Sequence, residues 1–463
     1  MKTFDTLAIP HADDLIFGQC PHPVRLKNGL EIGNGTVYPE LNFTLPPMAI
    51  TRETMPKVRE QYTEIINAVC SRALELHAPG LIVEFEMLPD MTLMPDWGIE
   101  IVQILRGALD RFAAKGLVSG LRVTPNDIRE FARPPLLREG KYWEDMLRSF
   151  ECSAAHGADM LAIESTGGKE IHDNAILNAD VPTIAFALGV LACRDMEFLW
   201  DHIVRIAEAH GIIASGDSAC GFANTAMVLA EGHNIPRVLA ALIRAMTIPR
   251  SLIAYERGAV GPSKDCAYEG PFIKAITGCP IALEGAEAAC AHLSPIGNIA
   301  KATADLWSNE SVQNVRLLGG MAPVVSVEQL LYSTRLMNVA TDQGSSAAHM
   351  LRDCFVASDA NLDPQAYILR PDVVIEISQV IVDAPTPYLR TRAAGLKALE
   401  ILRRAQGNGD IHLPRTEAKW LDRLSAQLEA VPEDEAELIA EVVPTLELDK
   451  VRLDQYLLPV PSA

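Results

Sequence analysis

The sequence predicts an α/β fold: a (β/α)8 barrel with an N-terminal cap and a helical C-terminal extension. From about residue 78, short apolar runs alternate with longer segments of helical periodicity, and this alternation indicates a parallel sheet. No G-x-G-x-x-G follows the first run, which favours a closed barrel over an open dinucleotide-binding sheet. The eight predicted strands span residues 81–88, 120–125, 159–165, 182–189, 211–216, 251–258, 279–285 and 315–320.

The segments between these runs read as helices that end in glycine, as in 97–116 and 196–211, where glycine suits the C-cap. Residues 1–77 contain Pro-rich turns and one helix, and we expect them to cap the barrel. Residues 78–326 form the predicted barrel, and residues 327–463 form a predicted helical extension packed on it.

Composition narrows the class of function. The 463 residues carry a formal net charge of -20 with no basic stripe, so we expect no nucleic-acid partner. The N-terminus lacks a signal-peptide pattern and no apolar run is long enough to cross a membrane, so we expect a cytoplasmic protein. The nine cysteines are scattered without a C-x-x-C pair, which indicates reduced thiols rather than a disulfide framework.

Two candidate metal ligands follow predicted strands on the face where parallel barrels carry their active sites. Glu164 closes the run 159–165 and precedes Ser-Thr-Gly-Gly, a flexible turn; the alternative is a carboxylate that caps the next helix. Cys220 lies in GDSACGFANTAMVLA after the run 211–216, among small residues and near a helix N-terminus that favours a thiolate. An inert, packed cysteine is the alternative.

Three further cysteines compete for a third position. Cys266 lies in the polar loop GPSKDC on the active face, Cys290 follows the next strand, and Cys279 begins that strand on the opposite face. This geometry orders them Cys266, Cys290, Cys279. Two thiolates and a carboxylate suit zinc, and three protein ligands leave a position open for catalysis.

Glu84 and Glu86 alternate with apolar residues in the first predicted strand, so both carboxylates face one side, the barrel interior. One of them could donate a proton. The alternative is a pair of interior carboxylates satisfied by basic groups such as Arg122 or Arg257.

Several long strings resemble the methanol:corrinoid protein methyltransferases over roughly residues 1 to 455. They are IEST around Glu164, SGDSACGFANTAMVLA around Cys220, RGAVGPSKDCAYEGPFIKAITG, AHLSPIGNIA and DLWSNESVQN. The resemblance implies a zinc enzyme with a TIM barrel and added helices. Residue by residue, the family's zinc site falls on Glu164, Cys220 and Cys266.

The resemblance also implies a separate corrinoid-carrying subunit, in a complex with two copies of each chain. The corrinoid-binding signature D-x-H-x-x-G is incomplete here, because Asp410 and His412 are followed by Leu-Pro-Arg. Zinc would act as a Lewis acid on methanol while Co(I) attacks the methyl carbon. The proton for the departing oxygen has four candidate donors: Glu84, Glu86, Asp217 and Asp265.

Other functions compete with this hypothesis. A related zinc-dependent corrinoid methyltransferase could use a methoxylated aromatic compound or a methylamine, in a wider and more aromatic pocket. A barrel hydrolase or lyase could use zinc-bound hydroxide without any corrinoid protein. A structural subunit with buried cysteines would hold no metal.

Overall fold

A computed structural model describes residues 3–45, 48–264, 266–291, 294–312, 316–317 and 319–459. The strands are β1 (Gln19–Arg25), β2 (Glu31–Asn34), β3 (Tyr38–Thr44), β4 (Leu81–Glu86), β5 (Ser119–Thr124), β6 (Met160–Ile163), β7 (Ile213–Asp217), β8 (Ala282–Glu284), β9 (Leu306–Val312), β10 (Arg316–Leu317) and β11 (Gly320–Met321). The helices of the first half are α1 (Met55–Glu75), α2 (Pro89–Leu93), α3 (Pro95–Ala113), α4 (Lys141–His156), α5 (Lys169–Asn178), α6 (Val181–Phe186), α7 (Cys193–His210) and α8 (Thr225–Glu231).

The remaining helices are α9 (Arg237–Arg257), α10 (Gly270–Thr277), α11 (Ala286–Ala291), α12 (Ala322–Asp342), α13 (Ser345–Asp359), α14 (Pro364–Tyr367), α15 (Pro371–Asp383), α16 (Pro387–Asn408), α17 (Arg415–Ala430) and α18 (Glu435–Val442). There are two π-helical stretches. Ala187–Ala192 joins α6 to α7, and Cys220–Asn224 directly precedes α8. Short 3-10 turns lie at Ala12–Asp14, Ile128–Phe131, Ile299–Ala302, Val443–Thr445 and Leu453–Tyr456.

Seven parallel strands form one curled sheet in the order β7-β6-β5-β4-β3-β9-β8. The extended segment 260–263 joins its two ends. Val260 N–H donates to the carbonyl of Ala214 in β7 at 2.9 Å, and Ala282 N–H of β8 donates to the carbonyl of Ser263 at 3.2 Å. A parallel bridge between Ser263 and Ile281 completes the contact. The segment therefore occupies the eighth position of a closed (β/α)8 ring, and the predicted fold class is confirmed.

Five of the eight predicted runs coincide with strands of this sheet: those that contain β4, β5, β6, β7 and β8. The prediction was wrong for 182–189, which is α6 and the following π-helical stretch, and for 251–258, which is the end of α9. Both helices are buried on all sides, and a buried helix has the same continuous apolar pattern as a buried strand. Within 315–320 the described residues form only the small antiparallel β10–β11 hairpin.

Two barrel strands, β3 and β9, were missed because neither contains a continuous apolar run as long as residues 81–83 of β4. Glu40 and Asn42 alternate with Leu41 and Phe43, which pack against the surrounding helices. An alternating pattern of this kind does not read as an apolar run. Strand β3 lies within the predicted cap segment 1–77, whereas the boundaries at 77 and 326 stay a prediction.

The β1–β2 hairpin closes the lower end of the barrel. Its apolar side chains pack against the lowest interior layer of the strands in a separate small core made of Val24, Leu26, Leu30, Ile32, Ile82, Met160, Ala282 and Leu306. A Cβ atom at Gly120 would lie 2.5 Å from the terminal methyl group of Leu26, so a larger residue there would have to displace the hairpin side chain. The opposite end, where the strands terminate, is thus the open end of the barrel.

The C-terminal helices pack outside the barrel. Helix α16 lies along α9, α15 contacts α10, and α12 covers β3 and β9. Among the described residues one helix, α9, has the length and mean hydropathy (1.4) of a membrane span, but its most apolar 18-residue stretch is entirely buried within the fold. Its apolar character is therefore explained by its place between the barrel and the outer helices.

Candidate metal centre

Glu164, Cys220 and Cys266 meet at the open end of the barrel. Glu164 directly follows β6, Cys220 begins the π-helical turn after β7, and Cys266 comes just after the barrel-closing segment 260–263. One oxygen of Glu164 and the two sulfur atoms all lie within 4.8 Å of one another. The side chains of the two cysteines point toward each other, with their Cα atoms 5.6 Å apart, and both residues are buried.

This donor set fits a zinc ion. Zinc is a borderline-soft ion that binds both cysteine thiolates and carboxylate oxygens, and three protein ligands leave one coordination position for a substrate. The Glu164 side chain keeps 29% of its surface exposed, so the group is reached from the open end. The arrangement can thus hold a metal and present it to a small molecule.

The other cysteines weighed from the sequence lie elsewhere or are not described. Cys279 lines a cleft with His22 and Val24 at the lower end of the barrel, opposite to the ligand group. Cys290 belongs to α11, but its side chain lies outside the described part of the structure. Asp265, one of the four predicted proton donors, also lies outside the described residues.

Asp217 does not face the opening. Its carboxylate is buried, accepts hydrogen bonds from Arg250 (3.0 Å), from the Trp200 indole (3.1 Å) and from the Ser165 amide (3.3 Å), and so holds the turn after Glu164 from behind. Burial raises the pKa of Asp217, while the Arg250 guanidinium opposes that shift. The group therefore supports the ligand loop and does not contact the substrate side.

Ser218 links both cysteine-bearing loops and was not found from the sequence. Its Oγ accepts hydrogen bonds from the amides of Cys266 and Ala267, each at 3.3 Å. The same oxygen lies 3.4 Å from the Cys220 sulfur and 3.8 Å from the Cys266 sulfur. One hydroxyl thus fixes the spacing of the two sulfur ligands.

Below the ligand group the barrel interior is lined by glutamates. Glu84 and Glu86 both point inward, where Thr124 donates to Glu84 (2.7 Å) and Asn42 donates to Glu86 (3.0 Å). The other inward carboxylates belong to Glu40, Glu164, Glu284 and Glu310. Such a concentration of like charges makes simultaneous ionisation of all members unfavourable.

Lys264 supplies the cation within this group of carboxylates. Its Nζ lies 2.8 Å from Glu86, 2.8 Å from Glu164 and 3.4 Å from Glu84, and only 5% of the residue is exposed. Burial alone would lower the pKa of Lys264, but the three carboxylates outweigh it and raise that pKa. The string KDC in the sequence places this lysine two residues before a candidate ligand, and a lysine so close to a ligand is a signal that could have identified it.

The carboxylates differ in their acidity. Burial raises the pKa of Glu164 to about 8 and that of Glu310 to about 7. Burial acts the same way on Glu86, but the Lys264 ammonium and the Asn42 amide outweigh it and lower the pKa of Glu86. Burial also raises the pKa of Glu40 to about 7, against the neighbouring Arg122. Protonated and ionised carboxyl groups therefore coexist near neutral pH.

Comparison with known proteins agrees with this geometry. Residues 1–456 match the family described as MtaB, methanol-cobalamin methyltransferase B subunit. A methanol–corrinoid protein co-methyltransferase from Methanosarcina barkeri is 38% identical over 438 residues, which is 94% of either chain. A chain in the crystal structure of the methanol:cobalamin methyltransferase complex MtaBC from the same organism superposes with a TM-score of 0.93 at 36% identity, covering 98% of this chain and 100% of that one. The chain belongs to the family of methanol-cobalamin methyltransferase B subunits.

Proposed function

We propose that this chain transfers the methyl group of methanol to the cobalt of a corrinoid protein, with a zinc ion held by Glu164, Cys220 and Cys266. The observation that carries the proposal is the meeting of one carboxylate and two sulfur atoms at the open end of the barrel, in a member of this family. Bound zinc supplies Lewis acidity, which stabilises the negative charge that develops on the departing oxygen.

The chain's own residues position the ligands. Ser218 spaces the two sulfurs, and Asp217 with Arg250 holds the turn that carries Glu164. Their supporting hydrogen bonds keep the ligand atoms in place before any substrate arrives, which is the role that outer partners have in metal sites. The open end stays accessible from one side, as an approaching macromolecular partner requires.

The departing oxygen needs a proton, and the acidic interior can provide it. Of the predicted donors, Asp217 faces away from the opening, and Glu86 is held ionised by Lys264. Glu84 remains a candidate, as does Asp265. We add Glu310, because it lines the same cavity as Cys266 and Lys264 and its raised pKa keeps a proton available near neutral pH.

The corrinoid is carried by a partner protein, since this chain lacks a complete corrinoid-binding signature. The relative of known structure comes from a complex named MtaBC, which supports a partner that docks on this chain. We further propose two copies of each chain in the complex, located in the cytoplasm.

The decisive experiment compares cysteines at the two ends of the barrel. Cys220→Ala should lose zinc and the ability to methylate the Co(I) form of a corrinoid partner, because a two-ligand site cannot retain the ion. Cys279→Ala is the matched control, a buried cysteine at the opposite end, and should keep both. Zinc is measured by elemental analysis and methyl transfer by the corrinoid absorption spectrum; full activity in a zinc-free Cys220→Ala protein contradicts the proposal.

A further inference from the structure

The Lys264 side chain lies where three carboxylates converge. Its ammonium contacts Glu86 and Glu164 at 2.8 Å each and Glu84 at 3.4 Å, almost wholly buried. Neither Glu84 nor Glu86 is oriented by the lysine alone, because Thr124 and Asn42 hold these carboxylates toward the same point. The pocket around the ammonium is therefore a set of fixed oxygen donors.

We propose that the Lys264 ammonium takes the place of a second divalent cation, so that the chain holds one metal ion where its carboxylates would otherwise hold two. The inference rests on the metal site proposed above. It assigns Lys264 a positioning and specificity role: the residue occupies an oxygen-lined position beside the metal site and excludes another ion from it.

The chemistry of the donors supports this assignment. Two-metal centres place their ions about 3.5–4 Å apart and share a carboxylate between them. Here Glu164 stands between the sulfur ligands and the lysine: the same Glu164 oxygen lies 3.5 Å from the Cys266 sulfur and 2.8 Å from the Lys264 nitrogen. Carboxylate oxygens on the lysine side suit Mg²⁺, Mn²⁺ or a second Zn²⁺.

A tethered ammonium has consequences that a second metal would not have. It carries one positive charge, brings no coordinated water, and arrives with the chain segment that also supplies Cys266. A second divalent ion would bind and acidify a water molecule and so create a competing nucleophile. With Lys264 in that position, the acidic end of the barrel keeps its negative potential without gaining a hydrolytic centre.

The test is metal stoichiometry with cobalt(II) as the probe. The wild-type chain, stripped of metal and titrated with Co²⁺, should bind about one ion per chain with the intense absorption of thiolate-to-cobalt charge transfer. Lys264→Met has a similar volume without the charge, and should bind about two ions per chain while the charge-transfer absorption still saturates at one. The second ion would have oxygen ligands only and add little absorption.

Controls separate this proposal from the metal site itself. Lys264→Arg should remain at one ion, and Lys264→Met combined with Glu86→Gln should return to one. A single ion with full charge-transfer absorption in Lys264→Met overturns the inference, whereas a wild-type chain without that absorption overturns the metal site. If Lys264→Met folds only when Co²⁺ is added, the ion replaces the ammonium and the inference stands; a chain that stays unfolded at saturating Co²⁺ contradicts it.

Discussion

At the scale of single residues, the candidate metal centre depends on side chains that hold the ligands in place without binding the ion themselves. The two sulfur ligands are 46 positions apart in the chain, and Ser218 is the one side chain of the described residues that contacts both loops within hydrogen-bond distance of each sulfur. Hydrogen bonds of this kind orient ligands and typically change metal affinity by about 10–100-fold.

Ser218→Ala should therefore release zinc about 10–100-fold faster than the wild-type chain while the fold is kept. The alanine leaves the amides of Cys266 and Ala267 without their acceptor, so the loop that carries one sulfur ligand loosens. Release is followed with a coloured chelator. Ser153→Ala, a buried helical serine in α4, is the control; equal rates for both variants would show that Ser218 does not hold the loops.

The proximity of Glu164 and Cys220 could be predicted from the sequence, whereas their environment could not, and Cys266 was placed after the run 251–258, which is helical. Glu164 and Cys220 each follow a strand that was predicted correctly, so the rule on strand ends brought them together. Lys264 and Glu310 were missed because their segments did not read as strands. Lys264 directly follows the short closing segment 260–263, and Glu310 lies in β9, whose sequence is mostly polar. Ion pairs between strands that are distant in the chain depend on how the strands are aligned in the sheet, and this alignment cannot be read from the sequence.

At the scale of elements, the segment 260–263 closes the barrel and leads into Cys266. Gly261 adopts φ +77°, and a side chain there would collide with the carbonyl oxygen of Pro280. This is the left-handed region, where only glycine is free of strain. The position thus couples barrel closure to placement of a ligand.

Gly261→Ala should lower the free energy of unfolding by roughly 1–3 kcal/mol and reduce zinc retention as well. Urea unfolding and elemental analysis measure the two effects. Gly407→Ala is the control, because that glycine lies near the end of α16 with open space around it, and alanine there should be neutral or stabilise by about 0.5–1 kcal/mol. Unchanged stability of Gly261→Ala would contradict the assigned closing role.

The distribution of polar residues along each strand decides whether that strand could be predicted from the sequence. Runs such as LIVEFE begin with three consecutive apolar residues and read as strands, whereas YPELNFT and LWSNESV have polar residues distributed along them and do not. A barrel that keeps its carboxylates inside reverses the usual pattern of apolar interior and polar exterior. The buried helices α6 and α9 were predicted as strands because neither has a polar face, and without one the helical period is not visible in the sequence.

At the scale of the whole molecule, the acidic interior couples stability to pH. Glu40 and Glu310 have pKa values of about 7 in the folded chain, raised mainly by burial, against the 4.5 of a free side chain. The folded state therefore binds more protons than the unfolded state between these values. Their stabilising contribution is complete below pH 4.5 and is lost as the pH rises through 7.

The metal-free chain should accordingly lose stability between pH 5 and pH 8, on the order of a few kcal/mol in total. Urea unfolding at a series of pH values measures the slope. Glu310→Gln removes one of the two groups and should flatten part of that slope. A free energy of unfolding that is constant or increases over this interval would contradict the assigned protonation of the interior.

The β1–β2 hairpin fills the lower end of the barrel, so the interior is open at the upper end and closed at the lower end. Within the described residues, Val24, Leu26 and Ile32 fill the space beneath the glutamates, so a methyl donor and its product would pass through the same opening that the corrin approaches. A corrin group bound at that opening would block the entry of the next methanol molecule. We therefore expect each turnover to require movement of the corrin group out of this opening, by a rigid-body motion or by dissociation of the corrinoid protein, and this movement to limit the turnover rate.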